Sequence, residues 1–244
     1  MKTYDTRGDA LLLEEAEVVG IEKPKKQLLE WLMQSDDGLK VISVVGMGGL
    51  GKTTLVKKIY DDASVKANFN SHVWITFSEN FDEDNLLREM IKDLVNEIMV
   101  PPPQNLEAMT GLKLKECVNK FLKDKTYMIV LDDVWKVVAW ESIRLAFPRT
   151  SVRGRIIITT RLEEVGKAAC CETNGHLYHL NRLAPAKSEE LFYRKAFPRS
   201  SCPPCLTEIS RSILRRCDGL PLAIVVVGGL LATKNNNLGR LENV

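Results

Sequence analysis

The chain has 244 residues, a length that allows one large α/β domain and a smaller helical appendage. Hydrophobic residues make up 45% and charged residues 27% of it, which excludes a disordered or fibrous protein. Because 34 basic residues are balanced by 32 acidic ones, no bulk electrostatic field exists to drive binding to nucleic acid or to a lipid surface.

The sequence predicts a cytoplasmic protein without a membrane span. Its longest apolar stretch, residues 220–232, contains Pro221 and is shorter than the roughly 20 residues that a bilayer requires, so we interpret it as a buried helix. The N-terminus lacks the apolar core of a signal peptide, and in the cytosol the six cysteines should stay thiols. Cys202 and Cys205 have the spacing of half a zinc or redox site, but no second pair accompanies them, so we interpret this segment as a linker.

Strand and helix patterns alternate along most of the chain. After a polar lead-in, apolar runs predict five strands, at 41–45, 72–76, 127–131, 155–159 and 176–180. Periodic apolar residues predict helices at 25–33, 52–60, 84–99, 112–122 and 162–169. This alternation indicates right-handed βαβ units, and hence an α/β fold with a parallel five-stranded sheet sandwiched by helices.

Beyond the fifth strand the pattern becomes helical, with helices predicted at 188–197, 206–216 and 222–233. These helices are separated by proline and glycine, and they suggest a small helical unit. We therefore divide the chain into a lead-in segment at 1–17, a sheet domain at 18–183 and a helical subdomain at 184–244.

Residues 46–53, Gly-Met-Gly-Gly-Leu-Gly-Lys-Thr, match the phosphate-binding pattern G-x-x-x-x-G-K-[ST] in full. The match lies directly between the first predicted strand and a helix. Glycines let backbone N–H groups turn toward phosphate oxygens, and the helix N-terminus adds partial positive charge. The residues predicted to bind nucleotide here are Gly46, Gly48, Gly49, Leu50, Gly51, Lys52, Thr53 and Thr54. Lys52 is expected to bind the β- and γ-phosphates, Thr53 to ligate Mg²⁺ and Thr54 to reach the α-phosphate.

Three charged residues follow two of the predicted strands and complete the predicted catalytic set with Lys52. Asp132 and Asp133 end the strand at 127–131, where we expect Asp132 to hold the metal and Asp133 to orient or deprotonate the attacking water. Adjacent acids can also be ordinary turn formers, but the phosphate loop favours the catalytic interpretation. Arg161 follows the strand at 155–159, at the edge where ligands collect, and is expected to sense the γ-phosphate; the alternative is a surface arginine.

Several motifs occur together in a fixed order: G-M-G-G-L-G-K-T-T-L, V-W-I-T-F-S, L-D-D-V-W, I-I-I-T-T-R and G-L-P-L-A. In this combination the chain resembles the NB-ARC domain of plant nucleotide-binding leucine-rich-repeat disease resistance proteins, which are signal-transduction P-loop NTPases. The tryptophan after L-D-D-V and the T-T-R ending resemble the coiled-coil class. The resemblance covers residues 18–232 and implies a P-loop NTPase fold followed by the first helical subdomain of the family.

The resemblance also implies contacts to the adenine base. Val18 and Val19 correspond to the segment whose backbone meets the base, and Pro221 and Leu222 of the G-L-P-L-A motif would pack against it. Ile21 stands where many members carry arginine, so a side-chain contact from that position is not carried over. Without the family, Pro221 would be interpreted as a proline that starts a helix.

The resemblance implies a switch of an intracellular immune receptor. ADP would hold a closed monomer, ATP would favour an open form that self-associates, and slow Mg²⁺-dependent hydrolysis would reset it. The expected partners are an adenine nucleotide, either ADP or ATP, and the rest of the receptor in cis: the coiled coil, the second helical subdomain with its Met-His-Asp motif, and the leucine-rich repeats. Nothing in the sequence matches these further parts, so we interpret the chain as a fragment of a larger receptor.

Two other functions use overlapping residues. A catalytic ATPase or nucleotide phosphatase would employ the same site and differ in its turnover. Nucleic-acid binding would rely on two modest arginine groups, Arg149, Arg153, Arg155 and Arg161, and Arg211, Arg215 and Arg216. The near-neutral total charge makes nucleic acid the less favoured partner.

Overall fold

The structure is a computed structural model that describes residues 18–78, 80–149, 153–198 and 201–241, with side chains up to 233. The predicted lead-in at 1–17 lies outside these residues. The chain divides into two compact units. Of the described residues, the sheet unit comprises those within 24–46 and 52–179, and the helical unit comprises 18–23, the loop 47–51 and those within 180–241.

The sheet unit is built on five parallel strands in the order β2-β3-β4-β1-β5. The strands are β1 (Leu39–Val45), β2 (Ser71–Thr76), β3 (Thr126–Asp132), β4 (Arg153–Thr160) and β5 (His176–His179). Every residue from the second position of β3 and of β4 to its end is buried, so both faces of the central sheet are covered. The predicted α/β class with a five-stranded parallel sheet is confirmed, since continuous apolar runs are typical of strands buried on both faces.

Seven α-helices precede, connect or follow the strands in the described part of the chain. They are α1 (Glu22–Leu32), α2 (Lys52–Tyr60), α3 (Ala63–Asn68), α4 (Glu83–Glu97), α5 (Leu112–Leu122), α6 (Val137–Ile143) and α7 (Glu163–Cys171). Apolar side chains of α4 to α7 join those of the strands in one buried cluster. Two helices, α3 and α6, were not predicted from the sequence. Each has only six or seven residues, too few to show a helical period.

The amino-terminal end of β4 is fixed by a buried arginine. Arg155 is 0% exposed, and every N–H group of its guanidinium donates to a backbone carbonyl. These hydrogen bonds, of 2.7 to 3.2 Å, reach the carbonyl oxygens of Leu32, Gln34, Asp36, Gly38 and Gly154. The side chain thereby caps the end of α1 and ties the connection between α1 and β1 to β4.

The helical unit contains α8 (Pro185–Ala196), α9 (Thr207–Cys217) and α10 (Pro221–Leu241). Its core includes Val19, Phe192 and Ile224. The apolar stretch 220–232 does form a helix, but its interpretation as buried is wrong. Only one face of α10 packs inward, and its outer face exposes Leu222, Val225, Val226 and Leu230.

Two further expectations concern membranes and cysteines. No helix in the described ranges combines the length and apolar character that crossing a membrane would need. All six cysteines are free thiols, and Cys202 and Cys205 flank the start of a short 3₁₀-helix, Pro204–Leu206. Among the described residues, no group of three or more His, Cys, Asp or Glu side chains is placed to hold a metal ion.

Candidate functional site

Three strands of the sheet unit bring the predicted charged residues to one edge. In the parallel register, Val45 at the end of β1 pairs with Thr160 at the end of β4, and Leu131 of β3 pairs with Ile158 of β4. The residues that follow, including Gly46 and Arg161, therefore leave the sheet at the same carboxyl edge. Ligands of open α/β sheets bind in the crevice at this edge.

Lys52 begins α2 with its ammonium turned back toward the end of β1. Its Nζ donates to the carbonyl oxygen of Gly46 at 2.8 Å, and the residue is only 7% exposed. Burial lowers the pKa of Lys52 and the charge of Arg161 acts in the same direction, whereas Asp133 and Asp132 oppose both. An anion beside this ammonium would restore the interactions that burial removes. The N-terminus of α2 favours negative charge at the same place.

Asp132 is held in a hydroxyl-lined position beside Lys52. Thr53 Oγ1 donates to its carboxylate, with distances of 2.9 Å to Oδ1 and 3.1 Å to Oδ2, and Thr159 Oγ1 donates to Oδ1 at 2.6 Å. Burial raises the pKa of Asp132, although these two hydroxyl donors lower it. The sequence predicted Thr53 and Asp132 at the metal, and the structure brings the two side chains into contact. Thr159, which orients Asp132, was not predicted.

This pair suits a magnesium ion. Mg²⁺ prefers oxygen ligands, keeps several waters and is usually bound by one or two protein side chains together with substrate phosphates. Because the Thr53 hydroxyl directs its hydrogen at Asp132, its oxygen lone pairs stay available to a cation. Thr53 and Asp132 would therefore hold the ion on the protein side, and phosphate oxygens and water would complete its shell.

Asp133 adopts a left-handed backbone conformation, with φ of 59°. Its amide donates to Thr159 Oγ1 at 2.8 Å, which fixes this turn of the chain directly after β3. Aspartate tolerates left-handed backbone better than most residues, and such conformations cluster at functional sites. The Asp133 carboxylate lies 3.7 Å from Arg161 Nε, so the predicted water-activating acid and the predicted phosphate sensor are neighbours.

Arg161 has a second neighbour that the sequence did not predict as part of the site. Its guanidinium carbon lies 4.6 Å from the ring centre of Trp135. The Arg161 side chain is 47% exposed, whereas Asp133 is almost fully buried. In the sequence, Trp135 of the L-D-D-V-W motif indicated only the resemblance to the coiled-coil class, and no physical role was predicted for it.

The glycine loop of the helical unit contacts the G-L-P-L-A segment of the same unit. The amide of Leu222 donates to the carbonyl oxygen of Gly49 at 3.1 Å. Gly49 has φ of +80°, and a Cβ there would lie 3.0 Å from the Cβ of Leu222, so this approach requires glycine. Two segments that the sequence assigned to one nucleotide site, the loop and the start of α10, are thus joined within one unit.

The other predicted contact residues can be placed but their roles stay predictions. Val19 is buried in the core of the helical unit, so any contact of this residue with a base would come from its backbone. Val18 precedes it, and Pro221 is the first residue of α10. Thr54 is half-buried on the first turn of α2. Gly46, Gly48, Leu50 and Gly51 complete the loop, where Gly51 also has a positive φ, of 89°.

Three arginines of the first group considered for nucleic-acid binding have partners within the fold. Arg155 is fully buried, so its inclusion in that group is wrong. Arg153 lies over the ring of Phe69, with 4.9 Å between its guanidinium carbon and the ring centre. Arg149 forms an ion pair with Glu172 at 2.6 Å. A sequence count of arginines could not reveal these pairings.

A parallel five-stranded sheet whose first strand runs into a G-x-x-x-x-G-K-T loop defines a P-loop NTPase. Solved structures support this class. Cdc6p from Pyrobaculum aerophilum aligns with 93% of this chain and 66% of its own length, with a TM-score of 0.62 and 14% identity. A signal transduction ATPase with numerous domains (STAND) from Pyrococcus horikoshii, with a tetratricopeptide repeat sensor, aligns with 85% of this chain and 29% of its own, with a TM-score of 0.53 and 16% identity. At these identities the likeness concerns the fold alone.

The family follows from the sequence matches. The model of the NB-ARC domain matches residues 21–202, and the chain belongs to this family. Disease resistance protein RPM1 of Arabidopsis thaliana is 35% identical over 230 residues, which are 92% of this chain and 24% of the relative. Late blight resistance protein R1-A of Solanum demissum is 34% identical over 228 residues, or 93% of this chain and 17% of the relative. The chain thus spans about a quarter or less of the length of these plant relatives.

Proposed function

We propose that the chain binds an adenine nucleotide together with Mg²⁺ and acts as the nucleotide-dependent switch of a larger plant disease resistance protein. The observation that carries the proposal is the convergence of Lys52, Asp132, Asp133 and Arg161 at the carboxyl edge of one sheet. Two cations and two acids at one edge of the sheet, beside the phosphate loop, fit a magnesium polyphosphate. Membership of the NB-ARC family supports the same proposal.

Each of the proposed site residues in the sheet unit makes a different interaction with the magnesium polyphosphate or with the attacking water. Lys52 donates to phosphate oxygens in place of the Gly46 carbonyl, and the exposed Arg161 guanidinium donates to the terminal phosphate. Thr53 and Asp132 hold Mg²⁺, which neutralises charge on the phosphates when it is bound. Asp133 accepts a hydrogen bond from the attacking water and orients it.

The proposed switch has a resting state with ADP and an active state with ATP, and slow hydrolysis returns one to the other. A shift from almost entirely closed to almost entirely open requires about 5.5 kcal/mol of differential binding. Contacts of one exposed arginine to a γ-phosphate supply about 1.5–3 kcal/mol at most. The remainder has to come from the rest of the receptor in cis, so this chain should bind nucleotide well and switch weakly.

Calorimetry with a charge-matched control tests the proposal. We expect Lys52→Ala to lower ADP affinity by about 100-fold or more, because the charge-assisted bonds to phosphate are lost. Lys167→Ala removes a lysine whose side chain is 66% exposed and pairs with Glu163, and it should leave ADP affinity unchanged. Equal ADP affinity of the wild type and Lys52→Ala would contradict the site. Mass spectrometry of nucleotide released from denatured protein would identify the nucleotide that it carries.

A further inference from the structure

Trp135 contacts Arg161, and the proposed function assigns no role to this tryptophan. It lies two residues after Asp133, and its half-buried ring lies under the Arg161 guanidinium at 4.6 Å. Asp133 approaches the same guanidinium from its Nε at 3.7 Å. An aromatic face and a carboxylate therefore hold the cation from two directions.

A neighbouring ammonium group opposes this position of the Arg161 guanidinium. Lys52 and Arg161 converge on the same edge of the sheet, and the charge of Arg161 is one of the causes that lower the pKa of Lys52. A long, half-exposed side chain beside a like charge gains freedom and loses repulsion if it turns into water. The Trp135 ring offsets this tendency, since a guanidinium binds to an indole face more strongly than to other aromatic rings.

The ring and the guanidinium are attached to segments that are tied to each other. Val134 donates its amide to the Thr159 carbonyl oxygen at 2.9 Å and accepts a hydrogen bond from Thr160 Oγ1 at 2.7 Å. These bonds fix the residue before Trp135 to the two residues before Arg161. Because their backbone segments are hydrogen-bonded to each other at the end of β4, the side chains of Trp135 and Arg161 are held near each other by a rigid element of the fold.

We propose that Trp135 is a positioning residue that holds the Arg161 guanidinium at the phosphate end of the site before a nucleotide arrives. The inference rests on the proposed function and adds a source of preference for ATP over ADP. A preorganised cation loses less freedom when it meets a γ-phosphate, whereas ADP has no γ-phosphate to meet. Trp135 acts through Arg161 and does not itself bind a phosphate.

The test compares two substitutions of similar size that differ in aromatic character. A phenylalanine ring would keep a π face and a leucine side chain would not, so W135F and W135L are measured against the wild type by calorimetry with ATP and with ADP. We expect W135L to lower ATP affinity by about three- to tenfold while ADP affinity stays within about twofold, and W135F to lose less. In the Arg161→Ala background, W135L should have no further effect on ATP. Equal losses for ATP and ADP, equal behaviour of W135F and W135L, or a persistent effect without Arg161 would each overturn the inference.

A fluorescence measurement on the nucleotide-free chain tests the contact itself. Arg161→Ala should change the tryptophan emission of the wild type but not that of W135F, because only Trp135 contacts this guanidinium among the tryptophans described. An unchanged emission spectrum would overturn the inference even if nucleotide binds. A wild-type chain that binds neither ATP nor ADP would overturn the proposed function, and with it the proposed effect of Trp135 on ATP binding. Normal ATP binding by W135L would overturn the positioning role alone.

Discussion

Arg155 lies near the amino end of β4 and Arg161 directly follows its carboxyl end, and these two side chains have opposite surroundings. Arg155, near the amino end, is 0% exposed and every N–H group donates to a backbone carbonyl. Arg161, directly after the carboxyl end, is 47% exposed, with one carboxylate at 3.7 Å and one aromatic ring as partners. The first side chain forms all its hydrogen bonds within the fold, and the second is half exposed, as the proposed contact with a phosphate requires.

Burial lowers the pKa of Arg155 at the amino edge as it lowers that of Lys52 at the carboxyl edge, but the two cations have different partners. At the amino edge, hydrogen bonds to backbone carbonyls stabilise the buried charge of Arg155 and the connection between α1 and β1. At the carboxyl edge, burial lowers the pKa of Lys52 and raises that of Asp132, so each charged form is held at a cost. Groups whose pKa values are shifted by burial beside charged neighbours are candidates for a functional site, because a bound ligand can supply the interactions that burial removes.

Removal of Arg155 should have the largest effect and should fall on stability alone. Arg155→Met leaves several buried carbonyls without donors, and we expect a loss on the order of 3 kcal/mol or more in the free energy of unfolding. Arg155→Lys, which cannot reach all these carbonyls, should lose less. Urea unfolding measures the effect, with Arg149→Met at an exposed position as the control that should stay within about 0.5 kcal/mol. A loss below about 1 kcal/mol would contradict the assigned role of Arg155.

A substitution of Asp133 tests whether the site at the carboxyl edge of the sheet hydrolyses ATP. We expect Asp133→Asn to reduce ATP turnover by about 100-fold while ATP affinity stays similar, because the amide cannot accept a proton from water. Asparagine is the suitable substitution, since it tolerates the left-handed backbone at φ of 59° and alanine would add strain. Phosphate release at saturating ATP measures turnover. Sustained wild-type rates above about 1 s⁻¹ would favour an ordinary ATPase over a switch.

Asp132→Asn should have a smaller effect and reveal the cost of a buried charge. Asparagine can still accept hydrogen bonds from Thr53 and Thr159, but it binds Mg²⁺ weakly, so we expect about tenfold lower affinity for nucleotide with Mg²⁺ and no change with EDTA. Burial raises the folded-state pKa of Asp132, so the wild type gains stability as pH falls through that pKa and loses it as pH rises. Nucleotide-free Asp132→Asn should lack this dependence and be at least as stable near pH 7.

In the wild type, nucleotide affinity and the stability of the nucleotide-free chain should change in opposite directions with pH. Nucleotide affinity with Mg²⁺ should fall as Asp132 takes up a proton, over the same range in which the nucleotide-free chain gains stability. Thermal unfolding with and without magnesium nucleotide, repeated across pH, measures both. Parallel pH profiles of the wild type and Asp132→Asn would show that another group titrates.

The fold and the charged site could be predicted because their signals are local. Strands buried on both faces give continuous apolar runs, and the phosphate loop and the acids of β3 follow such runs directly. The difference between Arg155 and Arg161 could not be predicted, since the bond from Arg155 to Leu32 joins residues 123 positions apart. For the same reason the sequence did not assign Thr159 to Asp132, or Trp135 to Arg161. Nor could a uniformly apolar stretch reveal that one face of α10 stays exposed.

The smallest predicted effect is the stability change of Arg161→Ala in the nucleotide-free chain. A half-exposed ion pair at 3.7 Å contributes about 0–1 kcal/mol, and an exposed cation–π contact contributes about as much. Loss of these contacts is offset because the repulsion between Arg161 and Lys52 disappears as well. We therefore expect the free energy of unfolding to stay within about 0.5 kcal/mol of the wild type. A loss as large as that of Arg155→Met would mean that Arg161, like Arg155, stabilises the fold, and it would contradict the proposal that Arg161 is available to bind a phosphate.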